Sequence, residues 1–380
     1  MNGLKYISLY ESSGYGISAR KYLQILLEKQ IPFSWTPMIA GPGLGLGYEP
    51  YAGKECDWPE LVPACNKKIN YDRVLVHTVP EYLPYWIKKE TGKKIYCYTV
   101  WETDKLPRHW PALLNATDHI IVPCTWNKDV FRNSGVKVHI SVLPHVSEYA
   151  ETLFTEEPEQ LNTIPPNHYA FYTIGDWTTR KNIEQTLTCF LNTFTAQDTV
   201  TLIIKTSALN LSKRNNKLIK FHTKNTVKKI LKKYKTPANV ILITRKLTKN
   251  ELLGLHKRGN CYLSLCHGEG WGYGAYDAAF QGNPVIMTGY GGHLDYLKKD
   301  LAYLVDYSLI PVKDSIGKKS YSPDQNWAHA DSEDASRKMK EVVLHRNQAQ
   351  EKGTKLKTHL NTTFSKETIT KTLLDILDHS

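Results

Sequence analysis

The stretch HGEGWGYGAYDAAFQGNPVI, residues 267–286, places three glycines in alternate positions between Glu269 and a short apolar segment. Each glycine weakens a helix by roughly 1 kcal/mol relative to alanine, so this spacing is not that of an ordinary core helix. The pattern predicts a loop that lets another group approach the backbone closely. A helix should follow this loop and end at Gly282, directly before Asn283-Pro284.

The position of this loop predicts a ligand site. It follows CYLSLC, residues 261–266, which has the composition of a buried strand. In open α/β sheets ligands bind at the carboxyl ends of the strands, and a helix N-terminus suits a phosphate. Seven residues separate Glu269 from Asp277. The two carboxylates could each bind a diol, one on a sugar ring and one on a ribose.

Strand and helix patterns alternate on both sides of this stretch, as expected for α/β domains with mostly parallel sheets. An acidic, proline-containing segment without periodicity interrupts the alternation at residues 147–168. We therefore predict two doubly wound domains joined by a linker. The predicted bounds are 1–150 for the N-terminal domain, 151–168 for the linker, 169–355 for the C-terminal domain, and 356–380 for a helix that could pack back on the N-terminal domain.

Length and composition agree with this division. A chain of 380 residues is too long for one typical core, and no apolar run is long enough to span a bilayer. The first ten residues read as a strand rather than a secretion signal. The seven cysteines are scattered, with no CxxC pair, which predicts free thiols in a reducing compartment. We therefore expect a cytoplasmic protein.

The formal net charge is +12, and lysines cluster in residues 205–235. A basic surface attracts polyanions, so this segment could touch the cytoplasmic face of an anionic membrane. A solvated, lysine-rich helix is the alternative. No nucleic-acid-binding motif accompanies the charge, and we expect no nucleic-acid partner.

The stretch EGWGYGAYDAAFQGNPVI resembles the nucleotide-sugar motif of retaining GT-B glycosyltransferases, especially glycosyltransferase family 4. That motif reads roughly E-G-F-G-x-x-x-x-E-A-x-A-x-G-x-P-V-I. This chain departs from it at Asp277, which is shorter by one methylene than the usual glutamate. The resemblance implies the GT-B fold, in which two Rossmann-like doubly wound parallel-sheet domains face a central cleft. It assigns the acceptor to the N-terminal domain and the nucleotide sugar to the C-terminal domain.

A second segment, GDWTTRKN at residues 175–182, resembles the phosphate-binding turn of the same family. Lys181 matches the lysine of that turn. Asp176 stands where the family often has arginine, so Arg180 or Lys205 would supply the second positive charge.

Further segments agree with the family in order. SSGYGISAR resembles its first loop, where Gly14 and Gly16 would face the diphosphate, and TRKLTKNEL resembles the loop that holds the base. YTVWETDKLP falls at a catalytic-site loop and offers Glu102. The remaining donor-binding candidates are Arg245, Lys246, Leu247, Gly270, Trp271, Gly272, Tyr273 and Gly274, and the acceptor-side candidates are Trp101, His77 and His145.

The resemblance implies retaining transfer of a hexose from a nucleoside-diphosphate sugar to a hydroxyl of a glycan or glycoconjugate. Mannose and glucose are the leading expectations for the sugar. The catalytic candidates are Glu269, Lys181, Arg180 and Glu102. The chain lacks the DxD pair of metal-dependent transferases in its usual context, so we expect no metal and no cofactor beyond the nucleotide sugar as co-substrate. A GT-B epimerase or phosphorylase, and a non-enzymatic basic protein that binds nucleic acid or an anionic surface, remain alternatives.

Overall fold

Runs of β-branched and aromatic residues alternate with helices along the chain, and in the computed structural model they assemble into two parallel sheets. The structure describes residues 3–147, 149, 155–212, 222–314, 317 and 320–379. The chain divides into two units. The first comprises Met1–Trp101, Lys105–Glu148 and Thr363–Ser380, and the second comprises Glu102–Asp104 and Tyr149–Thr362.

The first unit is built on a seven-stranded sheet in the order β3-β2-β1-β4-β5-β6-β7, parallel except for the antiparallel pair β2–β3. Its elements, in order, are β1 Leu4–Leu9, α1 Gly14–Glu28, β2 Phe33–Ala40, β3 Tyr48–Pro50, β4 Arg73–His77, α2 Leu83–Lys89, β5 Lys94–Tyr98, α3 Trp110–Leu114, β6 His119–Val122, α4 Thr125–Asn133 and β7 Ile140–Val142.

The second unit has a six-stranded, all-parallel sheet in the order β10-β9-β8-β11-β12-β13, together with the two-stranded antiparallel ribbon β14–β15. Its elements are β8 Tyr169–Ile174, α5 Ile183–Thr193, β9 Val200–Lys205, α6 Thr223–Leu231, β10 Asn239–Ile243, α7 Lys249–Arg258, β11 Cys261–Ser264, α8 Tyr273–Phe280, β12 Val285–Thr288, β13 Tyr303–Val305, β14 Tyr307–Pro311, β15 Asn326–Ala330, α9 Ser332–Leu344 and α10 Arg346–Thr363. The predicted doubly wound α/β architecture with two Rossmann-like domains is confirmed.

The core of the second unit fixes the strand ends that carry the site. Phe171 on β8, Leu202 on β9 and Leu263 on β11 are fully buried, and Leu187 and Phe190 of α5 belong to the same cluster. Burial of each such side chain stabilises the unit by about 1.5–3 kcal/mol. Because β8 and β11 are parallel neighbours, the loops that follow them leave the sheet at the same edge.

The C-terminal segment, predicted as a helix over 356–380, is divided between two helices in the structure. α10 ends at Thr363, and α11 spans Lys366–His379. Ser365 interrupts the helix because its hydroxyl accepts a hydrogen bond from the Thr368 amide at 3.1 Å, as an N-cap residue does. α11 belongs to the first unit, where Ile369 and Leu373 join the buried core.

Parts of two predicted segments lie outside the described residues. These are 151–154 of the predicted linker and 213–221 of the basic segment. Within the described ranges, residues Glu159–Thr163 form a 3-10 helix. No helix among the described residues combines the length and apolar character needed to cross a membrane. All seven cysteines lie in the described ranges and are free thiols.

Candidate functional site

Glu269 lies in the loop between β11 and α8, and its buried carboxylate accepts hydrogen bonds from two cations. Oε2 accepts from Nη1 of Arg180 at 3.0 Å, and Oε1 accepts from Nζ of Lys181. Both cations follow β8, the parallel neighbour of β11. The sheet topology therefore brings the quoted motif and the GDWTTRKN turn together at one edge.

The two cations determine the charge of Glu269. Burial raises the pKa of its carboxyl, but Lys181 and Arg180 outweigh burial and lower that pKa to about 2. The group is therefore an ionised carboxylate at neutral pH and can only accept hydrogen bonds. Such a group suits the hydroxyls of a sugar.

Arg180 holds the loop that carries Glu269. Its Nη1 donates to the carbonyl oxygen of Gly268 at 2.8 Å, and its own carbonyl accepts from the His267 amide at 2.8 Å. Its Nη2 lies 3.6 Å from Oε1 of Glu102. Burial lowers the pKa of Arg180, but the carboxylates of Glu102 and Glu269 raise it well above its ordinary value. Arg180 therefore positions Glu269 through these contacts, and its predicted role as a phosphate ligand stays a prediction.

Glu102 belongs to the second unit, together with Thr103 and Asp104. The Tyr321 hydroxyl donates to Oε2 of Glu102 at 3.0 Å. Asp104 anchors the segment, because its carboxylate accepts from the Asn326 amide at 2.6 Å and from the Asn326 side chain at 2.9 Å. Glu102 therefore joins the Glu269 cluster. Sequence reasoning missed Tyr321, because no motif surrounds it.

Two glycines of the quoted stretch are required by the backbone conformation and the packing of the protein itself. Gly272 precedes α8 with φ of 87°, a conformation that favours glycine. A Cβ on Gly274 would lie 2.5 Å from the hydroxyl oxygen of Tyr262. Packing and backbone conformation therefore already require glycine at these two positions, and the approach of a diphosphate to them stays a prediction.

The other donor-side candidates of this loop lie on or near α8. Asp277, on that helix, is 5% exposed. The Trp271 ring is buried between Tyr276 and Tyr296, with ring centroids 4.9 and 5.0 Å away. Trp271 is therefore a packing residue. Gly270 is buried in the loop, and Tyr273 is the half-buried first residue of the helix.

The remaining second-unit candidates follow β9 and β10. Lys205 ends β9, and its Nζ donates to the Thr206 carbonyl at 3.2 Å. The pKa of Lys205 is lowered overall: burial lowers it most, the Asp176 carboxylate opposes this, and the Arg245 cation lowers it further. Arg245 is exposed and paired with Glu251. Lys246 is exposed and Leu247 is buried.

The first-unit candidates are mainly core residues. Nδ1 of His77 lies 2.7 Å from the Tyr6 hydroxyl and Nε2 lies 3.1 Å from the Ser18 hydroxyl, so both ring nitrogens are bonded in a fully buried site. His145 and Trp101 are also buried. The structure thus places all three acceptor-side candidates in the core. Gly14 begins α1, and a Cβ on Gly16 would lie 1.9 Å from the Glu11 carbonyl oxygen.

Acid should destabilise the first unit through His145. Its folded-state pKa is lowered by burial from 6.5 to about 3, so below about pH 6.5 the unfolded chain binds a proton that the folded chain does not. Stability is therefore full above that pH and falls as the pH drops toward 3. We expect His145 to account for about 2 kcal/mol lost between pH 6.5 and 5.

The measurement is the urea midpoint of unfolding at pH 7, 6 and 5 for the wild type and for His145→Gln. In the variant the free energy of unfolding should fall less between pH 7 and 5, because unfolding no longer takes up the proton that His145 binds. If the urea midpoints of the two proteins change equally with pH, His145 does not cause the loss of stability in acid.

Within the ranges that the structure describes, no group of three or more His, Cys, Asp or Glu side chains could hold a metal ion.

The fold is that of the GT-B glycosyltransferases. The chain is similar over its whole length to sucrose-phosphate synthase (tll1590) from Thermosynechococcus elongatus, with 14% identity, 100% and 99% of the two chains covered and a TM-score of 0.70. It is also similar to a glycosyltransferase from Rickettsia africae, with 14% identity, 100% and 99% coverage and a TM-score of 0.67. A third similar structure is Anabaena Alr3699/HepE in complex with UDP and glucose, with 11% identity, 100% coverage of both chains and a TM-score of 0.64.

No protein-family model and no curated protein sequence matches the chain. At identities this low the structural similarity establishes the fold alone.

Proposed function

We propose that this protein transfers a hexose from a nucleoside-diphosphate sugar to a hydroxyl of a glycan or glycoconjugate, with retention at the anomeric carbon. The observation that carries the proposal is the ionised, buried carboxylate of Glu269, held by Arg180 and Lys181 at the carboxyl edge of the second sheet. The GT-B fold, seen with UDP and glucose in the Anabaena protein, supports a nucleotide sugar as the donor.

In this proposal Glu269 accepts hydrogen bonds from the sugar hydroxyls, and Lys181 donates to the diphosphate. Lys181 suits that role because its side chain is 26% exposed, against 9% for its partner Glu269. Lys205 supplies the second cation and Asp277 binds the ribose. Backbone groups of Arg245–Leu247 hold the base, as the family resemblance implies.

Cations and the α8 amides stabilise the negative charge that develops on the leaving diphosphate. The bond from the anomeric carbon to the phosphate oxygen breaks, and a bond from that carbon to the acceptor oxygen forms on the same face. The leaving phosphate takes the acceptor proton. This step needs no protein nucleophile, and the family 4 motif supports retention.

Replacing Lys181 with alanine should weaken the binding of UDP or GDP about tenfold or more, because a charge-assisted hydrogen bond to phosphate is lost. Titration calorimetry on the full chain measures this loss directly.

Lys338→Ala is the matched control. Lys338 is also paired with a carboxylate of the second unit, that of Asp334, but it lies on α9 outside the proposed site. Its replacement should leave nucleotide affinity unchanged. An equal affinity of the Lys181 variant and the wild type would exclude Lys181 as a phosphate ligand.

We also propose that the reaction is metal-independent, because Lys181 and Lys205 supply the positive charge that a divalent cation provides elsewhere. Adding EDTA in excess should leave the transfer rate unchanged. A large loss of rate that Mg²⁺ or Mn²⁺ restores would contradict this part of the proposal.

A cytoplasmic location is proposed as well, and the seven free thiols support it, since such thiols persist in reducing compartments. Contact between the basic segment 205–235 and an anionic membrane remains a prediction.

A further inference from the structure

The first unit contains a polar groove at the amino-terminal edge of its sheet. Its volume is about 770 Å³, within the range of about 300–1,000 Å³ typical of small-ligand sites. Lys94 and His119, which begin β5 and β6, line it, and α11 contributes Asp375. The groove therefore lies at the opposite edge of the sheet from the carboxyl end of β1, where the loop that leads to Gly14 begins.

A hydroxyl held between two imidazoles lies in this groove. Oγ of Ser141 is 2.9 Å from Nε2 of His119 and 3.3 Å from Nε2 of His139. The hydroxyl has a single hydrogen, so it donates to at most one of the two rings and accepts from at least one of them when both contacts are hydrogen bonds. Burial, and then His139, lower the pKa of His119 to about 4, so that ring is neutral at pH 7. The groove thus presents a neutral His119 ring and an ordered Ser141 hydroxyl.

The charged side chains of the groove balance each other. Lys94 and Lys128 provide two positive charges, and Asp118 and Asp375 provide two negative ones. An anion would face two carboxylates and a cation would face two ammonium groups. A neutral molecule with many hydroxyls can use both kinds of group, because hydroxyls donate to carboxylates and accept from ammonium groups.

The lining also contains apolar surface. Val142 is half-buried beside the polar groups, and the other apolar residues of the lining are the buried side chains of Ile140, Ile376 and Tyr96. A sugar ring presents C–H groups between its hydroxyls, so it can contact apolar and polar side chains of the lining at the same time.

We propose that this groove is a second carbohydrate site, which binds a neutral oligosaccharide of two or three sugar units. Binding here is independent of sugar transfer in the second unit, so each can be tested without the other.

The test is saturation-transfer-difference NMR on the full chain, with maltotriose and mannotriose as probes and inorganic phosphate and glycine as competitors. Asp375→Asn combined with Lys128→Ala should weaken sugar binding about tenfold or more, since two charge-assisted hydrogen bonds are lost. Asp378→Asn, on the same helix but outside the groove, is the matched control and should bind as the wild type does.

Glu269→Gln should leave this binding unchanged, because Glu269 lies in the second unit, and the loss in the groove variant is what locates the sugar in the groove. Three results would overturn the proposal: no saturation transfer from either sugar, equal binding by the groove variant and the control, or displacement of the sugar by phosphate or glycine at the concentration of the sugar.

Discussion

Replacing Glu269 with glutamine should lower the rate of sugar transfer about 10²–10³-fold. The loss follows because the carboxylate accepts hydrogen bonds from sugar hydroxyls in the proposed complex, and bonds to charged groups contribute about 1.5–3 kcal/mol each. Glutamine keeps the shape of the side chain but places an amide where an anion now lies between two cations. Steady-state kinetics with a nucleotide sugar and an acceptor measure the effect.

Glutamine also removes one partner of a buried ion pair, which destabilises a protein by about 3–5 kcal/mol. Asp334→Asn is therefore the matched control, because it removes a paired carboxylate from Lys338 and Arg337 outside the site. The control should retain transfer at 25 °C. If the Glu269 variant retains more than about a tenth of the wild-type rate, its carboxylate does not bind the sugar.

The second large effect is expected for Arg180→Met. Without the guanidinium, the carboxylates of Glu102 and Glu269 lose their common partner, and the Gly268 carbonyl loses its donor. We expect a loss of about 3–5 kcal/mol in the free energy of unfolding and a fall of about 6–20 °C in the melting temperature. Transfer should fall as well, because Glu269 is no longer held in place.

Two further measurements separate positioning from simple destabilisation. Arg180→Lys keeps the charge but cannot reach all three acceptors with one ammonium group, so it should restore only part of the activity. In Arg180→Met the acid limb of kcat/KM should move to higher pH, because the Arg180 cation helps to lower the pKa of Glu269.

Arg337→Met is the control for stability. Its side chain is 64% exposed and paired on the surface of α9, so its replacement should change the melting temperature little. A melting temperature of Arg180→Met equal to that of the wild type would contradict a structural role for the guanidinium.

The strand-and-helix alternation predicts the doubly wound α/β architecture of the two domains, because period and composition are local properties of the chain. The contact between Lys181 and Glu269 could also be predicted from the sequence, because both residues follow parallel strands and the carboxyl ends of such strands share an edge. The family motif identified the same two loops.

The rest depends on packing that no local pattern records. Glu102 stands in the first half of the sequence, yet it belongs to the second unit, where Tyr321 and Arg180 contact it. His77 ends a strand as a site residue could, but Tyr6 and Ser18 bond both its ring nitrogens. Gly274 resembled a point of ligand approach, and the Tyr262 hydroxyl occupies the space beside it. Only the folded chain reveals these neighbours.

The most direct test of the central claim is ¹H NMR of the wild-type protein with a panel of UDP-, GDP- and ADP-hexoses and oligosaccharide acceptors. We predict that one donor is consumed, that its nucleoside diphosphate is released, and that the new glycosidic bond has the anomeric configuration of the donor. Folded protein that binds none of these nucleotides and releases no diphosphate would contradict the account.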